Sequence, residues 1–402
     1  MITRSKKTKI VKNLQEENKF DELPPDLVIE IFRRLSLKTV AKCLTLSKSW
    51  ATTIRSRSFL TSFPSQPCTV IAFARPLHIA NRKEVRLHFF LSSSSSSTSS
   101  FLSRFSTCPS LYPDKLAYYY NHANGLISIG YGREHLVANP STGSFISLPR
   151  VKTRGRGRVV RSFFGYDPVS DQYKVLAMTE RSYDHQQESS SQHQLFTLGE
   201  KKPWKLLDCS IPDHRPWSNG VCIDGVVYYV AKTGQGMSQL SIMRFELRTD
   251  SLNLFTSLPE EIQTPSLHSD TLMNYKGKLA IATEITAFIF DLDGEKHEPL
   301  KKITFGIQRV RGTTHTGEFI FAPWRYYGDF YVSYYNPDKN SIKQKKLQIC
   351  IYNIRIAYVS LVLIFSPYLW NMSAKSNKLT SLSFLAISSN ITTPSSLETW
   401  LF

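Results

Sequence analysis

Asp224 to Val230, DGVVYYV, reads as a tight turn running into a strand. Glycine supplies the positive φ that a two-residue hairpin turn needs, and the β-branched and aromatic run behind it suits a pleated, buried surface. The same wording returns at Asn124-Gly125 (NGLISI) and at Lys276-Gly277 (KGKLAIA). A second turn chemistry recurs as Asn139-Pro140-Ser141-Thr142-Gly143, Asp167-Pro168-Val169-Ser170-Asp171, Leu247-Arg248-Thr249-Asp250, Asp291-Leu292-Asp293-Gly294 and Asn336-Pro337-Asp338-Lys339-Asn340. Proline at the first central position, with Gly, Asn or Asp later, is what a strand-reversing turn requires. Ser-Leu-Pro follows twice, at Ser147-Leu148-Pro149 and Ser257-Leu258-Pro259.

The last three of those turns lie about 45 residues apart, the length of one four-stranded propeller blade, and Asn124 to Asp224 is about twice that. Residues 66–348 therefore accommodate roughly six blades of an all-β propeller. A β-sandwich is the alternative architecture, but it does not require a long-period repeat. At the upstream end Cys68–Ala74 and Val85–Leu91 read as a strand pair. The serine tract Ser92 to Ser100, broken only by Thr98, reads as a flexible surface loop.

Before the β repeats the period changes from 2 to 3.6. In Leu23 to Phe63, LPPDLVIEIFRRLSLKTVAKCLTLSKSWATTIRSRSFLTSF, proline suits the first turn of a helix, and Leu27, Val28, Ile31, Phe32 and Leu35 follow on one face. Ser36 caps a second helix carrying Leu37, Val40, Ala41 and Leu44, and a third places Trp50 and Ile54 one turn apart. Three short helices in about 40 residues sit near the lower size limit for independent stability. A bundle core accounts for part of the apolar stripe, and the surplus calls for a partner.

The order Leu23-Pro24, Asp26-Leu27, Glu30-Ile31-Phe32-x-Arg34-Leu35, Val40-x-x-Cys43, Lys48-Ser49-Trp50 and Phe59 resembles the F-box, with Ser36 where proline is frequent and Ser47 where cysteine often stands. The β repeats resemble the F-box-associated interaction domain of a large, mainly plant family, through HANGLISIG, ANPSTGSFISLPRVKTRGRGR, SFFGYDPVSDQYKVLAM, HQLFTLGEKKPWKL and SNGVCIDGVVYYVA. That likeness covers roughly Cys68 to Ile342 and implies a small all-α F-box followed by a kelch-like β-propeller. It also implies docking of Leu23, Pro24, Leu27, Ile31, Leu35, Val40 and Trp50 on a Skp-type adaptor, linkage through it to a cullin scaffold, and a β domain that binds a protein targeted for ubiquitination. The chain would then be a non-catalytic substrate receptor without a cofactor.

Domain boundaries follow: a disordered basic N-terminus at 1–19, the F-box at 20–65, the β domain at 66–348 and an extension at 349–402. The extension departs from the resemblance. Ile351 to Trp370 is apolar, but Arg355 would cost about 2.5 to 3.5 kcal/mol at a bilayer centre, and Pro367 interrupts a run shorter than the ~20 residues a span needs. A membrane span is not expected. A blade-closing strand is the folded alternative to a poorly defined tail.

The totals bound the remaining choices. Lys and Arg number 50 against 32 Asp and Glu, a formal charge of +18, which favours acidic partners without dictating a fold. The six cysteines are scattered with no CxxC pair, as in reduced thiols of a nuclear or cytoplasmic protein. Lys6, Lys7, Lys9 and Lys12 read as a solvated basic tail, with a weak import patch as the alternative.

No GxSxG, HExxH or P-loop pattern is present, and an enzyme active site is not expected. His185 and His193 flank a polar segment better read as a solvated loop than as a ligand pair, and His214 has no partner that spacing assigns. Arg150, Lys152, Arg154, Arg156 and Arg158, with Arg161 behind them, are a candidate nucleic-acid contact, the competing function, against a solvent-facing loop between blades. Tyr118, Tyr119, Tyr120, Trp217, Trp324, Tyr326 and Tyr327 divide between core and recognition surface in a way sequence does not assign.

Overall fold

The computed structural model describes residues 23–35, 40, 43, 46–56, 59, 68–79, 82–93, 99–107, 118–140, 143–153, 158–180, 192–200, 204–207, 214–262, 272–283, 285–292, 299–305, 310–314, 316–323, 325–326, 330–347 and 357–365. The chain divides into two compact units, Met1–Gln66 and Pro67–Phe402.

The first unit holds two described helices, α1 (Pro25–Arg33) and α2 (Lys48–Arg55), where sequence predicts three. The expected middle helix falls on residues 36–44, of which only Val40 and Cys43 are described, both helical and buried. Pro25 occupies the first turn of α1, where its missing N–H costs nothing, and Asp26 faces the positive end of the helix dipole. Ser47 caps α2 by accepting the Ser49 N–H at 3.2 Å. Between the helices lie Val28, Phe32, Val40, Cys43, Ala51, Ile54 and Phe59, all buried. Phe32 meets Trp50 and Phe59 edge-on, at ring separations of 5.6 and 6.1 Å.

The described strands of the second unit form six antiparallel sheets in a propeller-like arrangement. The described strands within 118–147, 158–207 and 272–304 each form a meander in chain order, as do those within 215–257, where Arg215–Pro216 and Val221–Ile223 both pair with Val226–Thr233. Residues 310–347 make a fifth sheet and lend Arg325–Tyr326 to the sixth. The predicted two-residue turns are present: Ala123 pairs Leu126, Ile223 pairs Val226 and Tyr275 pairs Lys278. Both central residues of each have positive φ, 39° and 82° for Asn124-Gly125, 46° and 83° for Asp224-Gly225, and 52° and 82° for Lys276-Gly277. The longer turns close Asp167 on Gln172, Glu246 on Ser251 and Asn336 on Ser341. Both Ser-Leu-Pro repeats leave a fourth strand alike: Leu148 N–H donates to His135 and Leu258 N–H to Leu240, at 2.8 and 2.9 Å.

Because strand direction alternates, turns between first and second and between third and fourth strands gather on one rim, called the turn rim below. Among the described residues, second-to-third turns and the links between sheets gather on the opposite, link rim. Apolar side chains fill the spaces between neighbouring sheets. Phe163, Leu176 and Met178 of the second sheet meet Val227, Tyr229 and Met243 of the third, with Phe163 and Tyr229 stacked at 4.2 Å. A sheet covered on both faces needs near-continuous apolar strands, which is why Gln172–Glu180 is buried from its second residue onward.

The sixth sheet corrects two sequence expectations. Ser92 pairs Ser99 at the end of a hairpin between Arg82–Ser93 and Ser99–Thr107, so the ends of the serine tract are strand, and only residues 94–98 lie outside the described residues. Beyond the expected limit at 348, Ala357–Phe365 pairs antiparallel with Cys68–Ile79, closing the sheet with the chain's two ends. That pairing covers Cys68 to Ala74 only, so Pro76, which has no N–H, lies where the strand meets one neighbour rather than two.

Candidate functional site

On α1 the two faces separate cleanly. Val28 and Phe32 turn inward, while Leu27 and Ile31, one turn apart, are 52% and 37% exposed. Pro24, ahead of them, is exposed, and Leu23 and Leu35 are half-buried. Glu30 bridges Arg33 at 3.3 Å and Arg34 at 3.1 Å, spacings of three and four residues that brace the exposed end of the helix. An apolar pair held in water by a stiff helix is a surface suited to a groove.

Two of the residues predicted for docking are less open to solvent. Val40 is fully buried and belongs to the core of the helical unit. Trp50 is half-buried and engaged with the Phe32 ring. Leu46, not singled out in the sequence, is 69% exposed. Its signal was an apolar residue immediately before the capping Ser47, a place where leucine normally staples inward.

The β domain presents polar chemistry that is mostly committed to structure. Burial would raise the Asp167 carboxyl, but hydrogen bonds from the Ser170 hydroxyl and from the Val169 and Ser170 N–H groups, with the Arg248 charge, hold it below its ordinary value. Burial pushes the Cys222 thiol up to about 11, and it donates to the Tyr166 carbonyl at 3.7 Å. A thiol so placed is protonated and packed, not nucleophilic.

His214, which spacing left without a partner, lies 2.9 Å through Nε2 from the Tyr229 hydroxyl and stacks on His193 at 5.3 Å. Burial, with His214 beside it, lowers His193 to about 4; burial lowers His135 to about 4 as well. His185 lies outside the described residues. Among the described residues no cluster of His, Cys, Asp and Glu can hold a metal ion, and no helix is long and apolar enough to cross a membrane.

Of the basic run, Arg150 and Lys152 are exposed, Arg161 is half-buried, and residues 154–157 lie outside the described residues, as does the Arg158 side chain. Among the aromatics, Tyr120 and Trp217 are half-buried, while Trp324, Tyr327 and the side chains of Tyr118, Tyr119 and Tyr326 lie outside the described residues. Trp217 packs beside the core between the third and fourth sheets with the Lys232 ammonium 4.3 Å over its ring.

Comparison with known proteins agrees with this division. Residues 20–62 match the F-box domain, and residues 75–366 match the F-box associated beta propeller domain, a span that takes in the closing strand Ala357–Phe365. The putative F-box protein At1g26510 of Arabidopsis thaliana is 60% identical over 392 residues, which is 90% of this chain and 98% of that one. The putative F-box protein At1g26515 of the same plant is 64% identical over 364 residues, covering 83% and 99%. The F-box protein At4g11590, also of Arabidopsis thaliana, is 46% identical over 377 residues, covering 86% and 92%. A helical unit with outward-facing Leu27 and Ile31, joined to a six-sheet β domain with these relatives, makes the chain a member of the plant-type F-box proteins that carry an F-box associated β-propeller domain.

Proposed function

We propose that this chain is the substrate-recognition subunit of a Skp–cullin–F-box ubiquitin ligase, its helical unit docking on a Skp-type adaptor and its β domain holding the protein to be ubiquitinated. The observation that carries the reading is the exposure of Leu27 and Ile31 on a helix whose other face is already occupied by the bundle core. Pro24 extends that surface, and Leu23 and Leu35 border it as half-buried residues. The chain performs no bond chemistry in this role. It acts by proximity, raising the concentration of target lysines near charged ubiquitin. A receptor of this kind works in the nucleus, the cytoplasm or both.

Apolar anchors at the centre of an interface each contribute about 2 kcal/mol or more. The double change Leu27→Ala with Ile31→Ala is therefore expected to weaken adaptor binding by about 4 kcal/mol, roughly a thousand-fold, abolishing capture in a pull-down. Circular dichroism of the β domain should not change, because neither side chain belongs to a core. Undiminished adaptor capture by the double variant would refute the reading.

A further inference from the structure

Among the described residues the two rims of the β domain differ in how their charges are balanced, and turn chemistry contributes to the difference. Six of the seven non-glycine residues with positive φ, Asn124, Asp171, Asp224, Asp250, Lys276 and Asn340, stand on the turn rim. Asp and Asn tolerate that conformation better than other side chains do, so making these turns also delivers carboxylates. Three lysines near them are paired: Lys174 lies 2.6 Å from Asp250, Lys276 3.2 Å from Asp338 and Lys278 2.9 Å from Asp291.

On the link rim the corresponding hairpins use Gly132, Gly234 and Gly236, with φ of 57°, 74° and 69°, which bring no charge. There the first three sheets carry Arg133, Arg150, Lys152, Arg161, Arg215 and Lys232, held in two runs of contacts. Arg133 Nε donates to the Val151 carbonyl at 3.2 Å, which fixes it beside Arg150 and Lys152. The Lys152 carbonyl accepts from Gln194 of the second sheet at 2.6 Å. Arg161 donates to the Trp217 carbonyl at 3.0 Å and to Asn219 at 2.8 Å, and Lys232 covers the Trp217 ring and pairs across strands with Arg215. Among the described residues the Glu134 carboxylate lies 3.4 Å from Arg150 and the Glu180 carboxylate 3.8 Å from Arg215. Arg133, Lys152 and Lys232 have none within ion-pair distance among the described residues.

We propose that the link rim of the first three sheets is a docking surface for an acidic segment of a protein, a run rich in Asp and Glu; as a statement about substrate class, this rests on the receptor reading above. Clustered like charge on a low-dielectric wall attracts the opposite charge across about a Debye length, ~8 Å at physiological salt. A nucleic acid fits less well. Single strands are held by open aromatic faces, whereas Trp217 lies under Lys232, and Trp204 packs against Phe196 and His135 with its indole N–H donated to Pro149 at 2.7 Å.

The test uses the full chain and a fluorescent peptide of about a dozen alternating Glu and Ser residues, read by anisotropy from about 50 to about 200 mM salt. The wild type is expected to bind it in a salt-dependent way. Lys152→Glu with Lys232→Glu should weaken binding about ten-fold or more, and Lys152→Gln with Lys232→Gln less, while Lys339→Glu with Lys343→Glu on the turn rim leaves it within about two-fold. Equal binding by K152E/K232E would overturn the proposal. So would an oligo-dT strand that binds more tightly than the peptide through Lys152 and Lys232.

Adaptor capture is measured on the same proteins. If the wild type captures adaptor but its peptide affinity is indifferent to these lysines, the acidic-segment proposal fails and the receptor reading stands. If peptide binding depends on them but no adaptor is captured, the surface stands and the receptor reading fails.

Discussion

His135 is buried, ring-edge against Trp204 at 5.6 Å, and its ordinary value of 6.5 falls to about 4 because burial penalises the charged imidazolium. His193 is lowered to about 4 chiefly by burial, with His214 adding to it. Between those limits the unfolded chain carries protons on these rings that the folded chain refuses, so stability is complete above the unfolded value and declines as pH falls toward 4. Each depressed histidine contributes a slope approaching 1.4 kcal/mol per pH unit, about 3 kcal/mol across the whole window. Urea midpoints of the β domain should therefore drop between pH 7 and pH 5, and His193→Gln should flatten the drop; a midpoint independent of pH would contradict it. The sequence showed these histidines but not their surroundings. His214 finds Tyr229 fifteen positions on across a pair of strands, a contact that no spacing rule anticipates. Val40 was assigned by motif position and Leu46 was passed over, whereas which side of a short helix faces inward depends on the helix packed against it.

At the scale of the element, hairpins were the most legible feature. Two-residue turns demand positive φ at both central positions, and Asn-Gly or Asp-Gly meets that demand in the sequence itself. Lys276 is the exception in residue type, yet Gly277 behind it and the strand pattern on either side fixed the same turn. The closing strand was least legible. Ala357–Phe365 has no local partner and its apolar run resembles several things, because what makes it a strand is the unpaired edge of Cys68–Ala74 at the far end of the chain. Ending the protein at Leu347 should remove that pairing and cost about 3 kcal/mol or more, seen as a lower melting temperature and as association through the freed edge in size-exclusion chromatography. Unchanged melting and a monomeric elution would show that Ala357–Phe365 does not hold the sheet.

For the whole molecule, the contrast in size between the two units governs how they respond to heat. The clusters that join sheet to sheet all lie beyond Pro67, while the helical unit depends on a handful of buried side chains around Phe32. A unit of that size is marginal alone and gains whatever its ligand's binding supplies. Two unfolding transitions are expected in calorimetry, with a Skp-type adaptor raising only the helical one; a single transition insensitive to adaptor would count against independent units. Closure by distant strands has a consequence during synthesis as well. Cys68–Ile79 leaves the ribosome about 290 residues ahead of the strand that completes its sheet, and at about 5 to 20 residues per second its outer edge stands open for roughly 15 to 60 s. An edge open that long invites pairing with another nascent copy, so slower translation is expected to lower the yield of folded protein.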